Sequence, residues 1–107
     1  MTPAVAIIDI GSNSLKLLVA NRGPAGEIKE LQSQTIETRI SQGISQAGPR
    51  LSAEGMASGL AAIQALLATA APYVPVKIIL VATSAVRDAT NGADFRARVA
   101  TETGHDI

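Results

Sequence analysis

Two short apolar runs, separated by only four small residues, constrain this chain of 107 residues most strongly. Residues 4–10 (AVAIIDI) and residues 15–20 (LKLLVA) have the aliphatic side chains typical of strands. Because so short a connection suits neighbouring antiparallel strands, the two runs predict a hairpin. The nearly continuous apolar character of the first run predicts a strand that is buried on both faces.

A third strand and a long helix follow the hairpin in the sequence. Residues 27–40 place apolar side chains mainly at even positions among polar ones, which predicts a strand at a sheet edge. Ser52 can cap a helix that has Glu54 in its first turn and that ends at Pro72. Four side chains at four-three-four spacing predict the inward stripe of this helix: Met56, Leu60, Ile63 and Leu67.

Another buried strand and two short helical segments complete the predicted order. Residues 76–82 (VKIILVA) indicate a strand, which a right-handed crossover would set parallel to the first. Residues 83–89 predict a short helix directly after it, and Asn91 can cap a last helix that Gly104 ends. The sequence thus predicts an α/β fold in β-β-β-α-β-α order, with a further strand due where it stops.

Composition excludes several classes of function. With 9 basic and 9 acidic residues the chain is formally neutral, and it has only two aromatic residues, so direct nucleic-acid binding is not expected. The absence of cysteine excludes disulfides and thiolate metal sites. No run approaches the roughly 18–20 apolar residues that cross a bilayer, and no signal peptide pattern is present. We therefore expect a cytoplasmic protein with no membrane segment.

Asp9 is the one ionisable residue in the first apolar run, and a Gly-Ser-Asn-Ser turn follows it directly. Gly11 allows backbone N–H groups to approach a ligand without a Cβ in the way. Ser12, Asn13 and Ser14 add hydroxyl and amide donors, so this turn can surround an anion such as phosphate. The alternative is that these four are ordinary turn residues and that Asp9 caps the turn.

Lys16 and Asp9 add charge to this predicted phosphate site. Lys16 can bring positive charge to the mouth of the turn, or it can extend outward into solvent. Asp9 places a carboxylate near the expected phosphate oxygens, and these negative groups repel each other unless a cation or water lies between them. A hydrated Mg²⁺ ion is therefore the expected cofactor, with Asp9 contacting it through water.

A second group of candidate phosphate ligands lies in residues 81–91 (VATSAVRDATN). Thr83 and Ser84 mark a junction of strand and helix, where free N–H groups favour an anion, and Arg87 can turn its guanidinium toward the same place. The alternative is that Thr83 caps the helix while Arg87 pairs with Asp88 or another acid. If the strands pair as predicted, both groups emerge at the same end of neighbouring strands.

Three motifs of the chain resemble the N-terminal part of the exopolyphosphatase / guanosine pentaphosphate phosphatase (Ppx/GppA) family, which belongs to the actin-like ATPase superfamily. They are the opening A-I-I-D-I-G-S-N-S, the helix entry G-x-x-L-S-x-E-G, and the segment V-A-T-S-A-V-R-D-A-x-N-G-x-x-F. Together they span most of residues 1–107, in the family's order. The resemblance identifies the chain as a partial N-terminal domain of this family.

The resemblance implies a ribonuclease-H-like fold and the hydrolysis of terminal phosphate from polyphosphate or guanosine pentaphosphate, with Mg²⁺ as the metal. Residues 11–14 correspond to the family's first phosphate loop, and Asp9 to its acidic residue near the metal. Lys16 stands where some relatives carry an Arg proposed to contact a nucleotide phosphate. Arg87 corresponds to a family Arg near the substrate channel. A homodimer of the complete protein is a further expectation.

The sequence also departs from the family pattern, because it stops before the S-G-x-E-E-A segment whose Glu positions or activates the attacking water. The second acidic metal residue, the second phosphate loop and the partner domain are absent as well. Phosphoryl transfer depends on positioning and charge stabilisation from several sides. We therefore expect no meaningful turnover from the isolated chain, and an exposed apolar edge at residues 76–82 that promotes self-association.

Two alternatives from other functional classes remain open on the sequence. One is a nucleotide-dependent kinase of the same superfamily. Such kinases share the first loop but usually lack the segment V-A-T-S-A-V-R-D-A. The other is a regulatory module that keeps the phosphate pocket without the chemistry. An ATP-dependent transfer to a small acceptor, with no hydrolysis of polyphosphate, would favour the first, and a genuine stop codon after Ile107 would favour the second.

Overall fold

A computed structural model describes residues 3–38 and 50–107, and of Ser84 and Ala85 it describes the backbone only. The order of strands and helices agrees with the sequence prediction. The predicted end of the third strand, residues 39–40, lies outside the described residues. The elements are β1 (Val5–Ile10), β2 (Ser14–Arg22), β3 (Ile28–Glu37), α1 (Ala53–Ala70), β4 (Lys77–Ala82), α2 (Ser84–Arg87) and α3 (Gly92–Thr103).

The four strands form one mixed sheet in the order β3-β2-β1-β4. The predicted hairpin is confirmed, because β1 and β2 pair antiparallel with Asp9 opposite Lys16. The predicted parallel pairing of β4 with β1 is also confirmed, with Ala82 opposite Ile10. The third strand lies at one edge of the sheet, as its alternating pattern predicted, and β4 lies at the other.

Only one face of this sheet is buried, so the prediction of a first strand buried on both faces is wrong. Burial alternates along β1 and β2, and both α1 and α3 pack in one hydrophobic core against the same face. Within the described residues no helix covers the other face, which leaves Ile7 37% and Val81 44% exposed. We call this surface the open face, defined by Ile7, Asp9, Lys16, Leu18 and Val81.

The long helix begins as the sequence predicted, but a different set of its side chains is buried. The Ser52 hydroxyl accepts a hydrogen bond from the Gly55 amide at 2.9 Å and caps α1. Of the predicted stripe, Met56 and Leu67 are only partly buried, because the smallest residues of the helix lie closest to the core. The buried residues of α1 are Gly55, Gly59, Leu60, Ala62, Ile63, Leu66 and Ala70.

The segment Ala53–Tyr73, which is α1 with the short 3₁₀ turn after it, is long and apolar enough to cross a bilayer by length and composition. Its mean hydropathy is 1.3, so the expectation that no segment passes this test is wrong. The core helix of a folded domain passes the same test. In this chain the buried face of α1 belongs to the core beneath the sheet.

The helical segment after β4 is shorter than predicted. Residues 83–89 were expected to form one short helix, whereas α2 covers only Ser84–Arg87. The chain then turns, with the Gly92 amide donating to the Ala89 carbonyl at 3.1 Å, and α3 begins. Gly104 ends α3 in the left-handed conformation, with φ of 75°, as predicted.

Candidate functional site

The ends of β1 and β4 bring the two predicted groups of ligands to one end of the sheet. The backbone amide and the hydroxyl of Thr83 donate to the Ile10 carbonyl at 3.1 and 3.3 Å. Because Gly11 follows Ile10 directly, the turn of residues 11–14 adjoins the start of α2. We call this end of the sheet the carboxyl rim. The predicted convergence of the two groups at one rim is therefore observed.

Gly11 closes the hairpin turn through its own backbone. Its amide donates to the Ser14 carbonyl at 3.0 Å, so this N–H is committed to the turn and is not available to a ligand. A Cβ at Gly11 would lie 2.9 Å from that same carbonyl oxygen, which explains why glycine is needed there. Gly11 is therefore required by the turn itself, and its own N–H is not one of the donors that the turn can offer to a ligand.

The rest of the turn is accessible from solvent. Ser12 and Ser14 are half-buried and Asn13 is exposed. The Asn13 carbonyl accepts a hydrogen bond from the Thr38 amide at 3.1 Å, which ties the turn to the end of β3. The turn is therefore held by its backbone on two sides while its side chains can reach an incoming anion.

Asp9 and Lys16 lie side by side on the open face. They are directly opposite each other in the β1–β2 register, and both line a shallow groove of about 400 Å³. Both are exposed, and among the described residues neither side chain has a hydrogen bond or ion pair. The pair supplies one carboxylate and one ammonium group next to the carboxyl rim.

Thr83 and Ser84 contribute differently from the prediction. The Thr83 hydroxyl bonds the Ile10 carbonyl, so it fastens β4 to β1 and does not cap α2. The side chain of Ser84 lies outside the described part of the chain. Because α2 is a single turn of four residues, its dipole is too short to provide the anion attraction expected of a longer helix.

Arg87 lies at the carboxyl rim but not in the groove of Asp9. Its Nε forms an ion pair with the Asp88 carboxylate at 3.2 Å, and both side chains are more than half exposed. Arg87 lines a separate cavity of about 330 Å³, beside Arg96 at the outer edge of β4. An exposed ion pair of this kind contributes about 0–1 kcal/mol, so it does not fix the guanidinium in place.

Among the described residues, Asp9 is the carboxylate that could contribute to the magnesium site predicted from the sequence. No group of three Asp, Glu or His side chains able to hold a metal occurs in residues 3–38 or 50–107. Asp9 is a single exposed carboxylate, which suits Mg²⁺ only as one contributor, since this ion keeps several waters and takes further oxygens from phosphate. The remaining ligands would have to come from substrate and from other protein residues.

Sequence reasoning missed three polar residues of the groove that Asp9 and Lys16 line: Glu30, Ser33 and Thr35. They belong to β3, where Thr35 pairs with Lys16 and Ser33 with Leu18. Their common face depends on the register of the second and third strands, which contains an irregularity after Val19. Counting alternate positions from the turn identifies Thr35 and Ser33, but it does not predict the shift that brings in Glu30.

Comparison with known proteins agrees with this geometry. The sequence profile of the Ppx/GppA phosphatase family matches residues 6–107. The chain belongs to the Ppx/GppA phosphatase family. The match includes all three motifs that suggested the family from the sequence.

Curated relatives of this Ppx/GppA chain are mycobacterial exopolyphosphatases. Exopolyphosphatase 2 of Mycobacterium tuberculosis is 33% identical over 99 residues, which cover 90% of this chain and 31% of the relative. Exopolyphosphatase 1 of Mycobacterium bovis is 28% identical over 103 residues, which cover 96% and 30%. The chain therefore spans about a third of the length of the relatives it matches.

Solved structures identify the fold of this Ppx/GppA chain. The Ppx/GppA enzyme of Aquifex aeolicus superposes with a TM-score of 0.90 at 26% identity, over 100% of this chain and 35% of that one. An exopolyphosphatase of Cytophaga hutchinsonii also gives a TM-score of 0.90, over 97% and 33%, and at 21% identity it supports the fold alone. The four-stranded sheet with its helices therefore has the actin-like ATPase type of α/β fold, as predicted.

Proposed function

We propose that this chain is the N-terminal part of a phosphohydrolase that releases terminal phosphate from inorganic polyphosphate, with guanosine pentaphosphate as a second candidate substrate. Membership of the Ppx/GppA family and the exopolyphosphatase relatives support the class of reaction. The observation that carries the proposal is the double hydrogen bond from Thr83 to Ile10, because it joins the turn of residues 11–14 to the Arg87 segment.

The turn would bind the terminal phosphate from one side. Ser12, Asn13 and Ser14 have accessible side chains on a turn that is braced by its backbone, so an anion could be bound with little rearrangement. Lys16, exposed and without an ion-pair partner among the described residues, would add positive charge for the following phosphates of the chain.

Asp9 would hold a water ligand of Mg²⁺ next to the bound phosphate. This ion, when bound, would neutralise charge on the phosphate oxygens and lower the pKa of its bound water. Asp9 is suited to the role because its carboxylate is exposed and has no competing partner among the described residues. Its effect would be to orient water, since one carboxylate cannot hold the metal alone.

Arg87 would neutralise phosphate charge from the opposite side of the turn. Its surface ion pair with Asp88 is weak enough to exchange for a polyphosphate oxygen, to which a guanidinium can donate two hydrogen bonds. The backbone of Arg87 is already at the rim, since its amide donates to the Thr83 carbonyl at 3.1 Å.

The decisive experiment uses the complete protein, at the length of the relatives, and measures phosphate release from polyphosphate with Mg²⁺ present. Asp9→Asn keeps the size of the side chain and removes the charge, and should lower turnover about 10- to 100-fold, as loss of an outer-sphere partner of a metal does. Glu102→Gln, at an exposed position of α3, is the matched control and should retain wild-type turnover.

A second pair of variants tests the cationic side of the site. Arg87→Ala should raise the KM for polyphosphate, whereas Arg98→Ala, exposed on α3, should leave it unchanged. Wild-type turnover in both Asp9→Asn and Arg87→Ala would refute the proposed site. Transfer of phosphate from ATP to a small acceptor, without release from polyphosphate, would show that the protein is a kinase.

A further inference from the structure

Asn91 is the one buried polar residue among the described parts of the chain. Its side chain forms hydrogen bonds with the backbone of a residue that is distant in sequence. It was predicted to cap α3, but its side chain makes no capping bond. Its Oδ1 accepts from the Leu51 amide at 2.8 Å, and its Nδ2 donates to the Leu51 carbonyl at 3.0 Å. The two bonds join the start of α3 to the residue just before the cap of α1, across 40 positions of sequence.

The side-chain amide of Asn91 has no alternative partner for these two hydrogen bonds. Asn91 is only 4% exposed, and the second hydrogen of Nδ2 points toward the Met56 sulfur, 4.0 Å from Nδ2. Both oxygen and nitrogen of the side chain are therefore committed, and water cannot replace either bond without opening the core. None of the groups that bond this side chain is titratable.

The next residue, Gly92, brings α3 against the turn that carries Arg87. A Cβ at Gly92 would collide with the Val86 carbonyl oxygen, so only glycine permits this approach. Val86 itself is buried. The Asn91–Gly92 corner thus contacts α1 through one residue and the backbone beside Arg87 through the other.

The segment around Arg87 is consequently anchored at both ends. Thr83, four residues before Arg87, is fastened to Ile10, and Asn91, four residues after it, is fastened to Leu51. We propose that Asn91 is a positioning residue of the rim site: its clamp on Leu51 sets where the backbone of Arg87 stands relative to the turn of residues 11–14. The effect of Asn91 on the rim site rests on the proposed function, whereas the contact between Asn91 and Leu51 does not.

Asn91→Asp is the sharpest variant, because it preserves shape and removes the donor to the Leu51 carbonyl. An ionised carboxylate would face that carbonyl without a hydrogen, whereas a protonated one could donate to it and still accept from the Leu51 amide. The folded protein would therefore raise the pKa of the new acid above its unfolded value of about 3.9. Stability from the restored bond would be present below that unfolded value and be lost as the pH rises through the folded one.

The first measurement is the melting temperature of the 107-residue chain between pH 4 and pH 8. The melting temperature of Asn91→Asp should lie on the order of 10 °C below that of wild type at pH 8, and this difference should decrease toward pH 4. Thr90→Ala, exposed and one position earlier, should show no such narrowing. A difference in melting temperature that does not depend on pH, or no difference, would contradict the proposed role of the Asn91–Leu51 contact.

The second measurement separates positioning from simple stability. Tripolyphosphate is titrated into the folded chain at pH 7, and amide shifts are followed in wild type and Asn91→Asp by NMR. We expect the variant to lose at least about half of the shift at Arg87 while Ser12 and Asn13 still respond. Equal responses in both proteins would leave Asn91 with a structural role alone and overturn the positioning role. No response in wild type would refute phosphate binding at the carboxyl rim of this chain, while the melting data would still test the contact of Asn91 with Leu51.

Discussion

The amide and the hydroxyl of Thr83 both donate to one acceptor, the carbonyl of Ile10, at 3.1 and 3.3 Å. Ile10 is the last residue of β1 and Thr83 is the first after β4. Because the turn of residues 11–14 begins directly after Ile10 and the Arg87 segment directly after Thr83, this contact holds the two segments next to each other.

Removing the hydroxyl of Thr83 should weaken this junction. Thr83→Val keeps the shape and loses one hydrogen bond, so the free energy of unfolding should fall by about 1 kcal/mol, as for a typical net hydrogen bond. Thr83→Ser keeps the hydroxyl and is the matched control. Urea unfolding of the three proteins measures the difference, and equal loss in Thr83→Ser would show that the methyl group and not the hydroxyl matters.

Gly11→Ala should distort the turn of residues 11–14. The added methyl group would lie 2.9 Å from the Ser14 carbonyl oxygen, which is backbone and cannot swing aside. We expect a loss of about 1–3 kcal/mol in the free energy of unfolding, as for other overpacked sites. Gly23→Ala is the control, since the atoms its methyl group would meet belong to the flexible Glu27 side chain. Comparable losses of unfolding free energy in both variants would contradict a specific steric need for glycine at position 11.

Val74→Asn should stabilise the chain. Val74 has φ of 46° and ψ of 57°, a left-handed conformation that is costly for a β-branched residue, and its side chain is 79% exposed. Asn tolerates this conformation, so we expect a gain of about 1 kcal/mol in urea unfolding. Val76→Asn, at a position that is 71% exposed and has no positive φ, should give no gain. A similar gain at both sites would show that replacing an exposed apolar side chain, and not relieving the backbone conformation, stabilises the chain.

The free edge at β4 should govern association of the isolated chain. Val81 is 44% exposed on this strand, and a charge on an edge strand disfavours pairing with another copy. Val81→Lys should therefore shift the chain toward monomer in sedimentation experiments at micromolar concentrations. Ile28→Lys, at the opposite edge of the sheet and 72% exposed, should have little effect. The reverse ranking would place the association surface at β3.

Local patterns predicted the strands, their pairing and the rim shared by Gly11 and Thr83. Hairpin length, the alternation in the third strand and the crossover before β4 leave few other arrangements. The open face could not be predicted, because apolar residues such as Ile7 and Val81 look the same in sequence whether or not a helix covers them. Burial depends on which other elements pack there.

Side-chain hydrogen bonds between residues distant in sequence were the other feature that the sequence could not predict. A cap was the natural expectation for Asn91, since Asn is common before a helix, yet its amide bonds Leu51 40 residues away. The direction of the Arg87 side chain was equally open, and the structure shows it paired with Asp88, the alternative to phosphate binding. Sequence spacing places such residues at an end of the sheet but does not give the direction of a side chain.

The most direct test of the central claim is an NMR titration of the wild-type chain with tripolyphosphate, with and without Mg²⁺. The account predicts that amide signals of residues 12–14 and 83–87 move together along one binding curve, and that Mg²⁺ adds a response at Asp9. Separate curves for the two segments, or shifts confined to exposed lysines elsewhere, would contradict a single phosphate site at the carboxyl rim.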